Sequence, residues 1–356
     1  MTDTALKKTD TPVVPVAIRP GAYARIIAMR VALFLILGLG AIWLVINFVH
    51  SPTQFFNSAF LGLSNGALYA LIALGYTLVY GIIELINFAH GDLFMLGTLF
   101  SGFLLTTVLG QTGPGGAAWA LFILTLVATM AFCGTVNVAI EFLAYRRLRR
   151  APKLAPLITA IGISFVLQQV GLWWNGSIQK DWPSVLPSGG FRIGGVTIDY
   201  TLLIVVAVTV PLLLGLTWVV TRTRRGKAMR ATAQDQDAAR LMGINVNRTI
   251  SFTFLLGGAL AGAAGVMYQQ VIGTTRFDLG FQLGLIAFTA AVMGGIGNLT
   301  GAVLGGVLIG VIQGLNDGLP FGMGQKWSQT MVFSILILLM VFRPSGLLGR
   351  PLAEKV

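Results

Sequence analysis

The sequence predicts an all-α, polytopic transmembrane bundle of about ten spans. Composition, segmentation and charge placement each point that way. Of 356 residues, 55% are hydrophobic and 10% charged, with a mean hydropathy of +0.82. A soluble domain carries about 25% charged residues, so this chain lacks the polar surface to face water. It holds 45 glycines, a composition suited to apolar helices whose backbones approach closely in lipid.

A spanning helix needs roughly 20 mostly apolar residues. Ten segments qualify, at about 26–49, 57–80, 92–110, 117–144, 154–175, 200–220, 250–272, 279–297, 301–318 and 327–342. The connections set the orientation, because Lys and Arg concentrate in cytoplasmic segments. With the N-terminus inside, segments 1–30, 145–153, 221–249 and 343–356 carry 5, 5, 7 and 3 basic residues, which is 20 of the 24. The outside segments hold only Lys180, Arg192, Arg276 and Lys326. Both termini are therefore expected in the cytoplasm. The same clustering separates the net charge of +12 from a nucleic-acid footprint, and lipid is the expected surface partner.

Taken in order, residues 1–25 are expected to be a disordered cytoplasmic tail, with three Pro and several Thr and Lys. Span 26–49 follows as a retained anchor, too long for a cleaved leader and without a closely following small-residue cleavage site. Residues 55–345 form the main transmembrane domain, and 346–356 a cytoplasmic tail. The connection 176–200 is the longest outside, bracketed by Trp173, Trp174, Trp182 and Tyr200, as in an interfacial aromatic belt. Cys133 is the lone cysteine and sits in an apolar run, so an intrachain disulfide is excluded. With His50 and His90 the only histidines, no metal site is expected.

The loop 221–249 is the most informative stretch. Ala228 to Met242 contains good helix formers and no Pro, and reads as one short helix outside the membrane, closed by Gly243 as a C-cap residue. Small residues at Ala238 and Ala239 leave a face that fits another protein's groove. The bland alternative is a solvated amphipathic loop held near anionic lipid by Arg222, Arg224 and Arg225.

Asp237-Ala238-Ala239-x-x-x-Gly243 resembles the EAA-x-x-x-G signature of ATP-binding-cassette importer permeases, with Asp in place of Glu and without the usual Ile-x-Leu-Pro tail. Two further stretches, Asn65 to Asp92 and Ala287 to Gly297, resemble the smaller permease subunit of the high-affinity branched-chain amino-acid importers. Gly346-Leu347-Leu348-Gly349-Arg350-Pro351 fits as well. The likeness covers about 55–356 and leaves span 26–49 as an extension. The resemblance implies an importer permease in a bacterial inner membrane, coupled through Asp237, Ala238, Ala239, Arg240 and Gly243. It also implies a second permease subunit, two ATPase subunits that use ATP and Mg, and a periplasmic amino-acid-binding protein. Amide and urea permeases share the motifs.

The residues read independently as follows. Asp92 is expected at a cytoplasmic helix end, capping the span 92–110, while Asn87, His90 and Asp92 together are candidates for a cytoplasmic gate or an ATPase contact. Gly294, Gly295 and Gly297 suit close helix packing and, in a functional reading, a broken helix end on the path. With Asn65, Tyr69 and Thr289 these make up the candidate gate or path. No phosphate loop is present, since Gly226-Lys227 leads into Ala228. The chain is thus expected to be non-catalytic and to bind no cofactor. No carboxylate is expected mid-span, which argues against a secondary transporter. No polar cluster at one depth suggests a membrane enzyme.

Overall fold

The computed structural model describes residues 20–84, 87–111, 113–149, 151–152, 154–187 and 189–349. The chain divides into two units, Met1–Ile46 and Asn47–Val356. The described part of the first lies in α1 (Pro20–His50), a helix whose Phe34, Leu35, Leu39 and Val45 are all exposed.

The second unit is almost wholly helical. Its long elements are α2 (Pro52–Ile83), α3 (Ala89–Phe103), α4 (Ala118–Ile140), α6 (Leu154–Asn175), α7 (Tyr200–Arg222), α10 (Val246–Val271), α11 (Leu279–Gly294), α12 (Leu299–Gly318) and α13 (Ser328–Phe342). The short helices are α5 (Arg146–Leu148), α8 (Arg224–Gln234) and α9 (Gln236–Leu241). Two π-turns, Leu104–Val108 and Glu141–Tyr145, extend α3 and α4. Among the described residues, eight helices are long and apolar enough to cross a membrane, and two shorter apolar helices are Phe34–His50 and Leu279–Gly294.

Helices α2 and α10 form the centre. The most apolar windows of α2 and α10 are 83% and 72% buried, against 17% for α7 and 11% for α13. The outer helices show Leu and Val to their surroundings because a lipid phase accepts them. Small residues let the central helices touch. A methyl group added at Gly62 would meet the backbone of Gly310 at 2.6 Å, and one at Gly262 that of Thr129 at 2.6 Å. Cys133 is buried and free, its Sγ 3.6 Å from the Leu93 carbonyl.

The two ends of the bundle differ. One carries two small antiparallel strand pairs, β1 (Lys180–Asp181) with β4 (Thr274–Thr275) and β2 (Gly190–Ile193) with β3 (Val196–Asp199). Asn57 at the start of α2 accepts the Thr197 amide at 2.9 Å and ties the β2–β3 hairpin down. Trp182 lies against Gly102, while Trp173 is 88% exposed. The opposite, basic end holds Arg146, Arg149, α8 and α9. The expected disordered tail lies outside the described residues for 1–19, as do residues 350–356 of the C-terminal tail.

Candidate functional site

The loop helix expected over Ala228 to Met242 is two helices, broken at Asp235. An Asp side chain there competes with the backbone for its own amides. Its Oδ1 accepts from the amides of Asp237 at 2.8 Å and Ala238 at 3.0 Å, so it starts a new helix rather than continuing the old one. The far end closes as expected. Gly243 has φ +80 and donates to the Arg240 carbonyl at 3.0 Å, while Ile244 donates to Ala239 at 3.0 Å. That pair of bonds is the Schellman closure.

Ala239 is buried against the protein, whereas Asp237, Ala238 and Arg240 face out, the Asp237–Arg240 pair closing at 2.8 Å. Leu241 and Met242 stand beyond them, 89% and 82% exposed. The sequence reading passed over these two side chains. Their adjacency to a Gly turn was the available signal, since the turn ends the helix with its apolar residues uncovered.

The second group of candidates lies at the corner between α2 and α3. Helix α2 ends on Glu84 in a left-handed conformation, φ 53. The expected capping role of Asp92 is not what the structure has. The residue before α3 is Phe88, with no side-chain cap, and Asp92 sits inside the first turn with 0% exposure. It accepts a hydrogen bond from Ser164, midway along α6, and Gln168 donates to Ser164 at 3.3 Å. The neighbouring Leu93 carbonyl faces Cys133, midway between Ala118 and Leu148.

The first turn of α3 therefore lies level with the middle of α4 and α6, not with their ends. A carboxylate is buried at mid-span after all, and Glu141 is a second fully buried one. The reason is geometric: the start of α3 packs against Gly75, well short of the end of the 32-residue α2 at Ile83, so position along the chain misstates depth. His90 is equally deep, packed edge-on against Tyr76 with ring centroids 4.8 Å apart, and a methyl on Gly75 would strike it. Asn87 accepts from the Tyr145 hydroxyl at 2.9 Å.

Tyr76, Thr77, Tyr80, Asn87, Phe288, Ala291 and Ile296 line a cleft of about 10 Å³, the space of one water. Thr77 Oγ1 and Asn87 Nδ2 have no partner among the described residues. The cleft does not admit an amino acid as it stands, so any path through this corner must open.

The third group lies at the turn between α11 and α12. Gly295 and Gly297 have φ +104 and +88. Asn298 caps α12 through the Gly301 amide at 3.2 Å and donates to the Leu348 carbonyl at 2.8 Å. The C-terminal strap completes the turn: Leu347 donates to the Met293 carbonyl at 2.8 Å and Leu348 to that of Gly294 at 3.0 Å. The two glycine motifs, distant in sequence, are thus halves of one structure. Gly294 itself packs against Gly301, as close helix packing predicts. Thr289 is buried with its hydroxyl on the Leu285 carbonyl at 2.8 Å.

Asn65 and Tyr69 lie apart from both turns. Tyr69 donates to Gln313 of α12 at 2.9 Å and so bridges α2 to α12, while Asn65 is half-buried on α2. The structure brings Asn87, His90 and Asp92 together and Gly294, Gly295 and Gly297 together. Among the described residues no cluster of His, Cys, Asp and Glu could hold a metal ion.

Comparison with known proteins fits this arrangement. Residues 58–341 match the family described as "Branched-chain amino acid transport system / permease component". The chain is 42% identical over 303 residues to the high-affinity branched-chain amino acid transport system permease protein BraD of Pseudomonas aeruginosa, covering 83% of this chain and 96% of that one. It is 38% identical over 315 residues to the corresponding protein LivH of Escherichia coli, covering 87% and 99%. A shorter match, 39% over 90 residues, reaches the autoinducer 2 import system permease protein LsrC of Klebsiella pneumoniae, a quarter of each chain. With most of its length matched to the family and to full-length relatives, this chain belongs to the branched-chain amino acid transport system permease family.

Proposed function

We propose that this chain is the smaller permease subunit of an ATP-driven importer of branched-chain amino acids in a bacterial inner membrane. The observation that carries the reading is the exposed α9 cap, Asp237 to Gly243, on a chain of this family. The cap is a short rigid knob with Leu241 and Met242 uncovered, the form of a helix-in-groove contact. Two ATPase subunits, which use ATP and Mg, supply that groove. A second permease subunit completes the path, and a periplasmic binding protein delivers the amino acid at the hairpin end.

The basic end faces the cytoplasm, since it holds most of the Lys and Arg, and both termini lie on that side. The chain itself hydrolyses nothing and binds no cofactor. Asn87, His90, Asp92, Gly294, Gly295 and Gly297 form the inner gate, and Asn65, Tyr69 and Thr289 line or brace the path.

The buried Asp92 and Glu141 favour a second reading, since buried carboxylates are the mark of ion-coupled carriers. One experiment separates the two. Proteoliposomes containing this chain, the second permease, two ATPase subunits and the receptor should accumulate leucine only with ATP. Accumulation by this chain alone on a proton gradient would make it a secondary transporter.

A further inference from the structure

We propose that the π-turn Glu141–Tyr145 carries the state of the loop helices to the Asn87 corner, with Glu141 as its pin and Tyr145 as its output. The proposal rests on the ATP-driven reading above and identifies how the work crosses this subunit.

Four observations support it. The π-turn follows α4 and leads directly into α5, and such turns are frequent at functional sites. Its first residue, Glu141, is fully buried and accepts from Arg146 at 3.0 Å, from Arg149, and from Ser251 at 2.7 Å. Its last residue, Tyr145, is also buried and donates to Asn87 in the cleft.

The fourth is continuity with the loop. Ser251 and Asn247 lie in the opening turns of α10, and Arg149 donates to Asn247 at 2.6 Å. Helix α10 begins directly after the Gly243 turn, capped by Asn245. A tilt of α9 therefore reaches Glu141 through two hydrogen-bonded side chains on the next helix.

A π-turn supplies the second state that coupling requires. It holds one residue more than an α-turn, and each residue of an α-helix rotates the chain by about 100°. Relaxing the turn to α geometry would swing the following residues around the axis. Tyr145 would leave Asn87, and Arg146 and Arg149 would leave Glu141. The same event would release the loop's grip and unlock the cleft. In the present arrangement the cleft is closed, Tyr145 holds Asn87, and Glu141 holds Arg146, Arg149 and Ser251.

The test uses the whole importer, comparing the parent with Tyr145→Phe. Phe keeps the ring, whose centroid lies 5.6 Å from that of Phe254, and removes only the hydroxyl. A Thr77→Cys reporter in the cleft, in complexes that still import, is probed with a thiol reagent, without nucleotide and with trapped ATP. In the parent the two labelling rates should differ; in Tyr145→Phe that difference should vanish while uptake per assembled complex falls about tenfold. Glu141→Gln should act the same way.

Unchanged uptake and unchanged ATP-dependent labelling in Tyr145→Phe overturn the proposal. So does a fall in uptake that merely follows the amount of assembled complex, which would make the residue structural only. A parent complex that neither imports nor changes labelling with ATP overturns the ATP-driven reading, and the link with it.

Discussion

The two inner corners of the bundle, α2–α3 and α11–α12, perform the same turn with different materials. The first is held by side chains: Tyr145 on Asn87 and Ser164 on Asp92. The second is held mainly by backbone, with Asn298 its one named side-chain tie: glycines in conformations closed to other residues, and a strap whose amides meet the carbonyls of Met293 and Gly294. Side-chain bonds can exchange partners through rotamer changes. The glycine turn is fixed by the strap, since rearranging it means breaking the two main-chain bonds to Met293 and Gly294 together. A gate needs one part that moves and one that stays, and in the proposed importer α2–α3 is the part expected to move.

The sharpest way to break that contrast is at the rigid corner. Gly295→Val places a β-branched residue at φ +104, and its Cβ would lie 2.3 Å from the Gly349 amide nitrogen. We expect a loss of about 4 kcal/mol or failure to fold, read as the thermal midpoint in detergent. Normal stability would mean that the corner tolerates rearrangement.

Next is removal of the strap. Ending the chain after Pro344 strips two carbonyls and the Asn298 amide of their partners. We expect a loss of about 2 kcal/mol, again by thermal unfolding, with insertion intact. At the mobile corner Ser164→Ala removes the donor to Asp92 and should cost about 1–2 kcal/mol while also altering uptake. A stability change with wholly normal uptake would place Asp92 outside the moving part.

The smallest effect on stability is expected for Gly243→Leu. The strained turn is exposed and a methyl there meets nothing within 4 Å, so about 1 kcal/mol is lost. ATP-driven uptake should nevertheless fail, because α9 can no longer present its end. Independently of energetics, cysteines at Arg192 and Gln234 should label from opposite sides of the membrane.

Much of this was readable from the sequence. Spans announce themselves through hydropathy, and Gly243 through the run of helix formers that it ends. Glycine spacing foretold close packing, because small residues matter only where another backbone arrives. Depth was not readable. Asp92 stands three residues into α3, and nothing in the chain states that α3 starts level with the middle of α6. The break at Asp235 was hidden because Asp is tolerated within helices as well as at their caps.

Tyr145 on Asn87 and the C-terminal strap were hidden for a different reason. Both join segments far apart in the chain and leave no periodic trace. The stretch Gly346 to Pro351 carries a family likeness in the sequence, but the backbone partners of Leu347 and Leu348 are visible only in three dimensions.

The strap also imposes an order on biosynthesis. Helix α11 leaves the ribosome two helices before the residues that close its end. Chains are made from the N-terminus at about 5–20 residues per second, so for some seconds this corner stands open with α12 and α13 still emerging. Leu347 and Leu348, made after α13, are the residues that seal it. A message truncated near its 3′ end would yield a subunit with nearly all its helices but an unsealed inner corner, which a membrane protease could recognise before assembly.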